Sequence, residues 1–342
     1  MLDAPTDCGQ TELTRFGLLL LPEFPIYALT PAIEALRIAN QNSDRRLFDW
    51  QLISLDGKPV KAGNGMTLSV DGSIADIPWV PTALVFAGNH PINHVNKRVM
   101  SWLRKLVRHG SVIGAVDTGA FTLARAGLLD GYRVTLHWEA ITMFRDQFPS
   151  IATSEQLYVI DRDRITCAGG HATLDLMLHL IARKHGSGLA QIVANAFVAQ
   201  KIRRDVESQR LDAQHISGDT RSPFTRILHD MEEHLANPLS AEELADRAGV
   251  SVRTLGRALK ERIGASPMQY YRKLRLQAAR NALFYSDVPI QDVATACGFA
   301  SPEVFSRTFR DHFGASPREF RRRFAQEQLS RFRPELNQQL NR

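Results

Sequence analysis

The sequence predicts two folded parts: an α/β domain with a mostly parallel sheet, then an all-α domain with two helix-turn-helix motifs. Three observations support this expectation. The chain has 342 residues, which is long for one hydrophobic core. Up to about residue 200, short apolar runs alternate with amphipathic stretches, which is typical of strands and helices in an α/β sheet. In the remainder, one block of sequence occurs twice.

The first part contains strand and helix candidates in alternation and ends in a polar segment. The strand candidates are Phe16–Leu21, Trp50–Ser54, Ala83–Ala87 and Val112–Val116. The helix candidates are Pro31–Asn40, Lys97–His109, Gly119–Leu129, Trp138–Phe148, His171–Lys184 and Ala190–Arg204. Ser-Gly-Asp and Ser-Pro turns follow. We therefore expect a tail at 1–13, a domain at 14–205, a linker at 206–222, a second domain at 223–326 and a tail at 327–342.

The repeated block spans Leu244–Pro267 and returns as Val293–Pro317. Gly249 corresponds to Gly298. After one inserted residue, the remaining matches are Ser251 with Ser301, Arg257 with Arg307, Gly264 with Gly314 and Pro267 with Pro317. Each copy predicts a short helix, a turn with a glycine and a longer helix, which is the pattern of a helix-turn-helix. One long helix, Pro267–Tyr285, is expected between them.

The excess of positive charge lies in the half with the repeats. Residues 1–200 hold 18 basic and 18 acidic residues, a net charge of zero, whereas residues 201–342 hold 24 and 18, a net of +6. Residues 251–325 hold 14 basic and 6 acidic residues. A basic module with repeated helices indicates binding to double-stranded DNA, and the alternative is a merely soluble basic surface.

The second helix of each copy has an apolar stripe and an opposite polar face. Leu255, Leu259 and Ile263, and then Phe305, Phe309 and Phe313, are expected in the core. The candidate DNA-binding residues are Ser251, Arg253, Thr254, Arg257 and Lys260 in the first copy and Ser301, Glu303, Ser306, Arg307 and Arg310 in the second. Arginine pairs with guanine, glutamate accepts from cytosine, and the two serines are N-cap candidates at amides that can hold phosphates. The alternative for each residue is a solvated helix face.

The span from Pro223 to Phe324 resembles the DNA-binding domain of the AraC/XylS family of bacterial transcription regulators. Supporting segments are Leu239–Gly249, Leu274–Arg280, Ile290–Phe299 and Phe309–Pro317. The resemblance implies two helix-turn-helix units bound along one face of the duplex. It also implies activation through contact with RNA polymerase.

The segment Gly114–Gly131 has the layout of a nucleophile elbow, in which a strand turns sharply into a helix at Asp117. Together with Thr135–Trp138 and Cys167–Met177, it resembles the PfpI-like, class I glutamine-amidotransferase-like superfamily, which implies a flavodoxin-like sandwich. Over residues 14–325 the chain resembles the GlxA-type regulators, which place such a domain ahead of an AraC-type domain.

Two positions depart from the catalytic members of that superfamily. The resemblance places a cysteine at the elbow and an acidic residue just past the first strand, where this chain has Asp117 and Tyr27. A carboxylate cannot perform covalent chemistry that relies on an activated thiolate. We therefore predict no catalytic residue and interpret His137 as a hydrogen-bonding pocket residue. An amidase or hydrolase fused to a DNA-binding domain is the alternative.

The elbow, which lacks the catalytic cysteine, predicts a ligand-binding site. The candidate residues are Asp117, Thr118, Tyr27, Phe24, Phe121, His137 and Trp138. A carboxylate beside aromatic faces suits an organic cation, although these aromatic residues could equally belong to the core. GlxA-type relatives include regulators of arginine, carnitine and glycine betaine catabolism, so the resemblance implies the same class of effector.

We expect a homodimer that contains no metal and no cofactor. Cys8, Cys167 and Cys297 match neither a disulfide framework nor a zinc site, and no apolar run is long enough to span a membrane. A cytoplasmic location follows as an expectation. A further alternative is an architectural DNA-binding protein that senses no ligand.

Overall fold

The computed structural model describes residues 13–94, 96–199, 203–205, 207, 209 and 223–322. The chain divides into two units, Met1–Gln209 and Arg210–Arg342, and this division falls within the linker predicted at 206–222. Most of that linker lies outside the described residues, as do the tail predicted at 327–342 and, apart from Leu13, the tail predicted at 1–13.

The first unit is built on a seven-stranded sheet. The strands of this unit are β1 (Thr14–Leu20), β2 (Phe48–Ser54), β3 (Val60–Lys61), β4 (Thr67–Leu68), β5 (Gly72–Ser73), β6 (Thr82–Ala87), β7 (Val112–Asp117), β8 (Arg133–Thr135), β9 (Ala152–Ser154), β10 (Tyr158–Asp161) and β11 (Arg164–Cys167). The large sheet has the order β10-β11-β7-β6-β1-β2-β5. Its strands pair in parallel except for β10 with β11, so the predicted mostly parallel sheet is confirmed.

Helices cover both faces of the large sheet. They are α1 (Ile26–Gln41), α2 (Lys97–Arg108), α3 (Ala120–Arg125), α4 (Trp138–Gln147), α5 (Ala172–His185) and α6 (Ser187–Ala196). Leu18 and Leu20 of β1 belong to one hydrophobic cluster with residues of α1, α5 and α6, whereas Leu19 belongs to a second cluster with residues of α2, α3 and α4. Because side chains alternate along a strand, β1 supplies both cores at once.

Three helix predictions differ from the structure at their ends. Helix α1 begins at Ile26 rather than at Pro31, which lies inside the helix instead of in its first turn, where proline is preferred. Helix α3 ends at Arg125, well before Leu129, and Gly127 in the left-handed region follows it. The helix predicted at Ala190–Arg204 is observed at Ser187–Ala196, starting directly after Gly186, and residues 200–202 lie outside the described residues.

The second unit is helical. Its helices are α7 (Pro223–Glu233), α8 (Ala241–Ala248), α9 (Val252–Ile263), α10 (Pro267–Tyr285), α11 (Ile290–Ala296) and α12 (Pro302–Phe313). Two hydrophobic clusters form, one around α8 and α9 and one around α11 and α12. Helix α10 joins them, since its Tyr271 lies in the first cluster and its Leu276 and Leu283 lie in the second. The bounds of α10, Pro267–Tyr285, are those expected from the sequence.

Each copy of the repeat forms the predicted helix, turn and second helix. The turns contain Gly249 and Gly298, both with φ in the left-handed region that glycine tolerates. Ser251 and Ser301 cap α9 and α12, because their side chains accept hydrogen bonds from the amides of Thr254 and Val304. Among the described residues, no helix of either unit has both the length and the apolar character needed to cross a membrane.

Candidate functional site

The end of β7 forms a sharp turn at Asp117, as the elbow pattern predicts. Asp117 has φ of 62°, a conformation that only a few per cent of residues other than glycine adopt. Glycines on both sides make the turn possible. A Cβ at Gly169 would lie 2.8 Å from the Cβ of Asp117, and one at Gly119 would collide with the carbonyl oxygen of Val85. Strained backbone of this kind is concentrated at functional sites.

Parallel strands bring the loops around Asp117 to one edge of the sheet. The carboxyl ends of β1, β6, β7 and β11 meet there, which is the usual position of a ligand site in an open α/β sheet. Thr118 binds β7 to β6, since its amide donates to Ala87 O at 3.2 Å and its hydroxyl donates to Gly88 O at 2.6 Å. On the other side, the amide of His137 donates to Asp117 O at 3.4 Å.

The carboxyl group of Asp117 has a pKa near neutrality. Burial is the main cause and, together with the negative charge of Glu139, raises this pKa to about 6. The proximity of His137 and the amide of Thr118 act in the opposite direction. At neutral pH the elbow therefore presents a mostly ionised carboxylate on a residue that is partly accessible to solvent.

Tyr27 lies next to the same turn. Its side chain is 56% exposed, and its ring centroid is 5.1 Å from that of His171. A Cβ at Gly170 would lie 3.8 Å from the tyrosine ring, and the neighbouring Gly169 abuts Asp117. The loop 169–171 thus connects the tyrosine to the carboxylate.

Helix α4 begins beside the elbow with His137 and Trp138. The ring of His137 caps the helix by accepting from the amide of Glu139 at 3.4 Å, and its centroid is 5.8 Å from that of Trp138. Both rings are partly exposed. The structure therefore brings Asp117, Tyr27 and His137 together, with Trp138 adjacent to His137.

Three of the sequence-predicted ligand residues have other roles in the structure. Phe24 and Phe121 are fully buried in the two hydrophobic clusters. The ring of Phe121 packs edge-on against Phe144 at 5.1 Å, so it presents no face to a ligand. Thr118 is also buried, and its hydroxyl is engaged with Gly88. Phe24 and Phe121 therefore belong to the hydrophobic core, which was the alternative to ligand binding. Their rings lie on the sheet faces that the helices cover.

A second polar network at the same sheet edge was not predicted. Glu23, 8% exposed and with φ of 64°, accepts from His90 Nδ1 at 3.0 Å and lies 3.7 Å from His94 Nε2. Burial by itself would raise the pKa of Glu23, but the hydrogen bond from His90 and the proximity of His94 lower it to about 2. Within the described residues, no group of three or more histidine, cysteine, aspartate or glutamate side chains is arranged to hold a metal ion.

The attachment of the chain at Gln209, just before the start of α4, was also missed. The side-chain amide of Gln209 donates to Thr135 Oγ1, Leu136 O and Gln156 O at 2.9–3.0 Å. Arg203 pairs with the buried Asp175 at 2.7 Å, which anchors the same segment. The sequence signal was weak, since a single glutamine in a polar stretch is typical of a linker.

Cys167 does not replace the missing elbow thiol. It is fully buried at the end of β11, as expected for a small apolar residue. Burial raises the pKa of its thiol to about 12, so the reactive thiolate is almost absent at neutral pH.

The candidate DNA-binding side chains lie on the outer faces of α9 and α12. Arg253, Thr254, Arg257 and Lys260 are exposed on α9. Glu303, Arg307 and Arg310 are exposed on α12, and Ser306 is partly exposed. The stripes expected in the core point inward, with Leu255, Leu259, Phe305 and Phe309 buried and Ile263 and Phe313 partly buried against them. The polar faces of α9 and α12 therefore point outward, because their apolar faces pack into the two hydrophobic clusters.

The second helix-turn-helix has an additional support from α10. Arg275 Nε donates to Cys297 O at 2.7 Å, its Nη2 donates to Gly298 O, and its guanidinium lies 4.4 Å from the centroid of the Phe299 ring. These contacts satisfy carbonyl groups at the end of α11 and hold the turn in place.

An α/β unit with an elbow, followed by paired helix-turn-helix motifs with basic outer faces, defines a class of DNA-binding regulators with an appended α/β domain. Comparisons with known proteins agree with this class. The model of the DJ-1/PfpI family matches residues 29–183, and that of a helix-turn-helix domain matches residues 244–323.

Relatives similar over most of the chain are transcriptional regulators. The HTH-type transcriptional regulator CdhR of Pseudomonas aeruginosa is 42% identical over 303 residues, 88% of this chain and 90% of CdhR. GlxA of Rhizobium meliloti is 33% identical over 313 residues, 91% of this chain and 97% of GlxA. A solved THiJ/PfpI family protein from Pseudomonas syringae, 18% identical with a TM-score of 0.50, covers 65% of this chain and 95% of its own and shows the fold alone.

The chain belongs to the AraC-family HTH-type transcriptional regulators that carry a DJ-1/PfpI domain ahead of the helix-turn-helix domain. The resemblance to GlxA-type regulators and the flavodoxin-like fold implied by it are confirmed. DNA binding and regulation of transcription are the functions of this class.

Proposed function

We propose that this regulator is a transcription activator whose first unit binds a small nitrogenous metabolite, a carnitine-like, betaine-like or arginine-like compound. The observation that carries the proposal is the carboxylate of Asp117, held at the strained elbow next to Tyr27 and His137. Fixed negative charge beside an aromatic face favours a positively charged nitrogen. The same class of compound is implied by the resemblance to GlxA-type regulators.

The charges around the elbow support a cationic group. Glu139 adds a second carboxylate close enough to raise the pKa of Asp117. His137 and His171 border the turn and can donate hydrogen bonds to the carboxylate of a zwitterion. An anionic ligand without a cationic group would meet repulsion from Asp117 and Glu139.

We propose binding rather than turnover at this site. The elbow provides no thiolate, and burial suppresses ionisation of Cys167. The alternative is a hydrolase in which Asp117 is the nucleophile, since carboxylates form covalent intermediates in other enzymes. Hydrolysis of amide substrates by the purified protein, lost in Asp117→Ala, would favour that alternative.

The proposed mechanism places promoter DNA against the outer faces of α9 and α12. In a homodimer, two such pairs of helices would occupy neighbouring half-sites and allow contact with RNA polymerase. A ligand changes this state only if it binds one arrangement of the protein more tightly than another. The linker predicted at 206–222 is the proposed place of that rearrangement.

Calorimetry on the full-length protein with glycine betaine, carnitine and arginine tests the effector class. We expect one of them to bind and Asp117→Asn to weaken that binding roughly 10- to 100-fold, because the attraction between the carboxylate and the positively charged nitrogen is lost. Asp130→Asn, a change of an exposed acid in the same unit, is the matched control. No heat from any of the three compounds would disprove the effector class.

A further inference from the structure

Helix α9 contains a glycine within its polar face. Gly256 lies three residues after Arg253, directly before Arg257 and four residues before Lys260. Residues separated by three, four and seven positions share one side of a helix. Gly256 therefore interrupts a stripe that otherwise carries the three cationic side chains of this face.

Nothing within the second unit requires a glycine at this position. The backbone of Gly256 has no positive φ, and a Cβ added there would meet no atom within 4 Å. Glycine is also among the poorest helix formers, so alanine would favour α9. Gly298 is the opposite case, because a Cβ there would collide with Leu235 O and lie 2.7 Å from Pro238 Cγ.

The two copies of the repeat differ at this point. The residue of α12 that corresponds to Gly256 is Ser306, which precedes Arg307 just as Gly256 precedes Arg257. The caps of the two helices agree, since each has a serine N-cap and a left-handed glycine at its end. The loss of a side chain is thus specific to the first helix.

We propose that Gly256 is a close-approach position, at which the backbone of α9 comes nearer to the DNA than a side chain would allow. A helix with its side chains is about 10–12 Å across, and the major groove is about 12 Å wide. Removing one side chain from the flank of the inserted face lets α9 sit deeper, so that Arg253, Thr254 and Arg257 reach base edges. This inference rests on the proposal that this face of α9 contacts DNA.

Gly256→Ala and Gly256→Leu in the full-length protein test the inference. The probe is a DNA duplex that the wild-type protein selects from a random-sequence library. We expect Gly256→Ala to raise Tm by about 2 °C yet weaken binding about tenfold, and Gly256→Leu to weaken it further, since the loss follows side-chain size. Gly188→Ala and Gly188→Leu, at an exposed glycine of α6 that also has open space, should leave DNA affinity unchanged.

A parallel Arg257→Ala variant separates contact of this helix face with DNA from the role of Gly256. Wild-type affinity of Arg257→Ala would mean that this face does not contact DNA, and the basis of the inference would fail. Weakened binding by Arg257→Ala, with wild-type affinity of both Gly256 variants, would overturn the role of Gly256 alone. Equal losses for alanine and leucine would also overturn it, because helix rigidity rather than close approach would then explain the effect.

Discussion

The side-chain amide of Gln209 donates a hydrogen bond to the carbonyl oxygen of Leu136 at 2.9 Å. Leu136 directly precedes His137, whose own amide contacts the carbonyl oxygen of Asp117. The last described residue of the first unit is therefore attached to the strand-to-helix junction that borders the candidate ligand site. A ligand that shifts residues 135–137 would change the attachment of the chain leading to the DNA-binding unit.

We expect Gln209→Ala to weaken the coupling between ligand and DNA. The variant loses three hydrogen bonds of one amide, so we expect a small drop in stability, while ligand affinity changes little because Gln209 does not line the elbow. Electrophoretic mobility shifts with and without effector measure the coupling. Gln191→Ala, at an exposed position of α6, is the control. A ligand-induced change in DNA affinity equal to that of the wild type would refute this role.

Effector binding should weaken at acidic pH. A cation binds the ionised form of Asp117, whose pKa is about 6 beside His137 and Glu139. Below that pH, each further unit should raise the Kd about tenfold, until other groups titrate. Calorimetry between pH 5 and 8 measures the effect. Asp117→Asn should show a flat profile, and a wild-type affinity that is constant across this range would exclude Asp117 from the cation site.

The contribution of Asp117 to folding stability should rise at acidic pH, the opposite direction to effector affinity. The folded-state pKa of about 6 exceeds the ordinary 3.8, so the folded protein takes up a proton between these values. The resulting stabilisation is complete below about pH 4 and is lost as pH rises through about 6. Asp117→Asn should therefore raise Tm at pH 7, and this pH-dependent gain should shrink towards pH 4. Asparagine, like aspartate, tolerates the left-handed φ, so the substitution introduces no new backbone strain. A Tm difference that is constant with pH would contradict a pKa of Asp117 that is raised in the folded state.

The two turn glycines should differ in their sensitivity to substitution. Gly249→Ala faces only the left-handed backbone, which costs about 1–2 kcal/mol. Gly298→Ala faces the same backbone and a collision with Leu235 O and Pro238 as well. Urea denaturation should therefore show a clearly larger loss of unfolding free energy for Gly298→Ala. Equal losses would contradict the crowding of Gly298 by Leu235 and Pro238.

Arg257→Ala and Arg307→Ala should each weaken DNA binding by about 1–3 kcal/mol, the range of a bidentate contact with guanine. Arg226→Ala removes the same charge from an exposed position on α7 and serves as the control. Binding should also fall steeply as salt increases, because phosphate contacts release counterions. Filter binding at several salt concentrations measures both effects. Identical affinities for all three variants would show that long-range charge, rather than these two faces, drives binding.

Local features of this protein were determined by the sequence alone. The repeat, the apolar spacing in α9 and α12, the serine caps and the bounds of α10 depend on residues within one or two helical turns, so they could be read directly from the chain. The elbow at Asp117 was likewise visible as a strand running into a glycine and a helix.

Tertiary structure alone decided which distant residues meet and which faces are covered. Glu23 joins His90 across 67 positions and Gln209 joins Leu136 across 73, and no local pattern indicates either contact. Phe24 and Phe121 are buried because helices cover both faces of the sheet, and apolar composition cannot distinguish such a core ring from one that faces a ligand. Parallel pairing of β1, β6, β7 and β11 brings their separate carboxyl ends to a single edge of the sheet. This pairing is the physical reason that the site is assembled only in the fold.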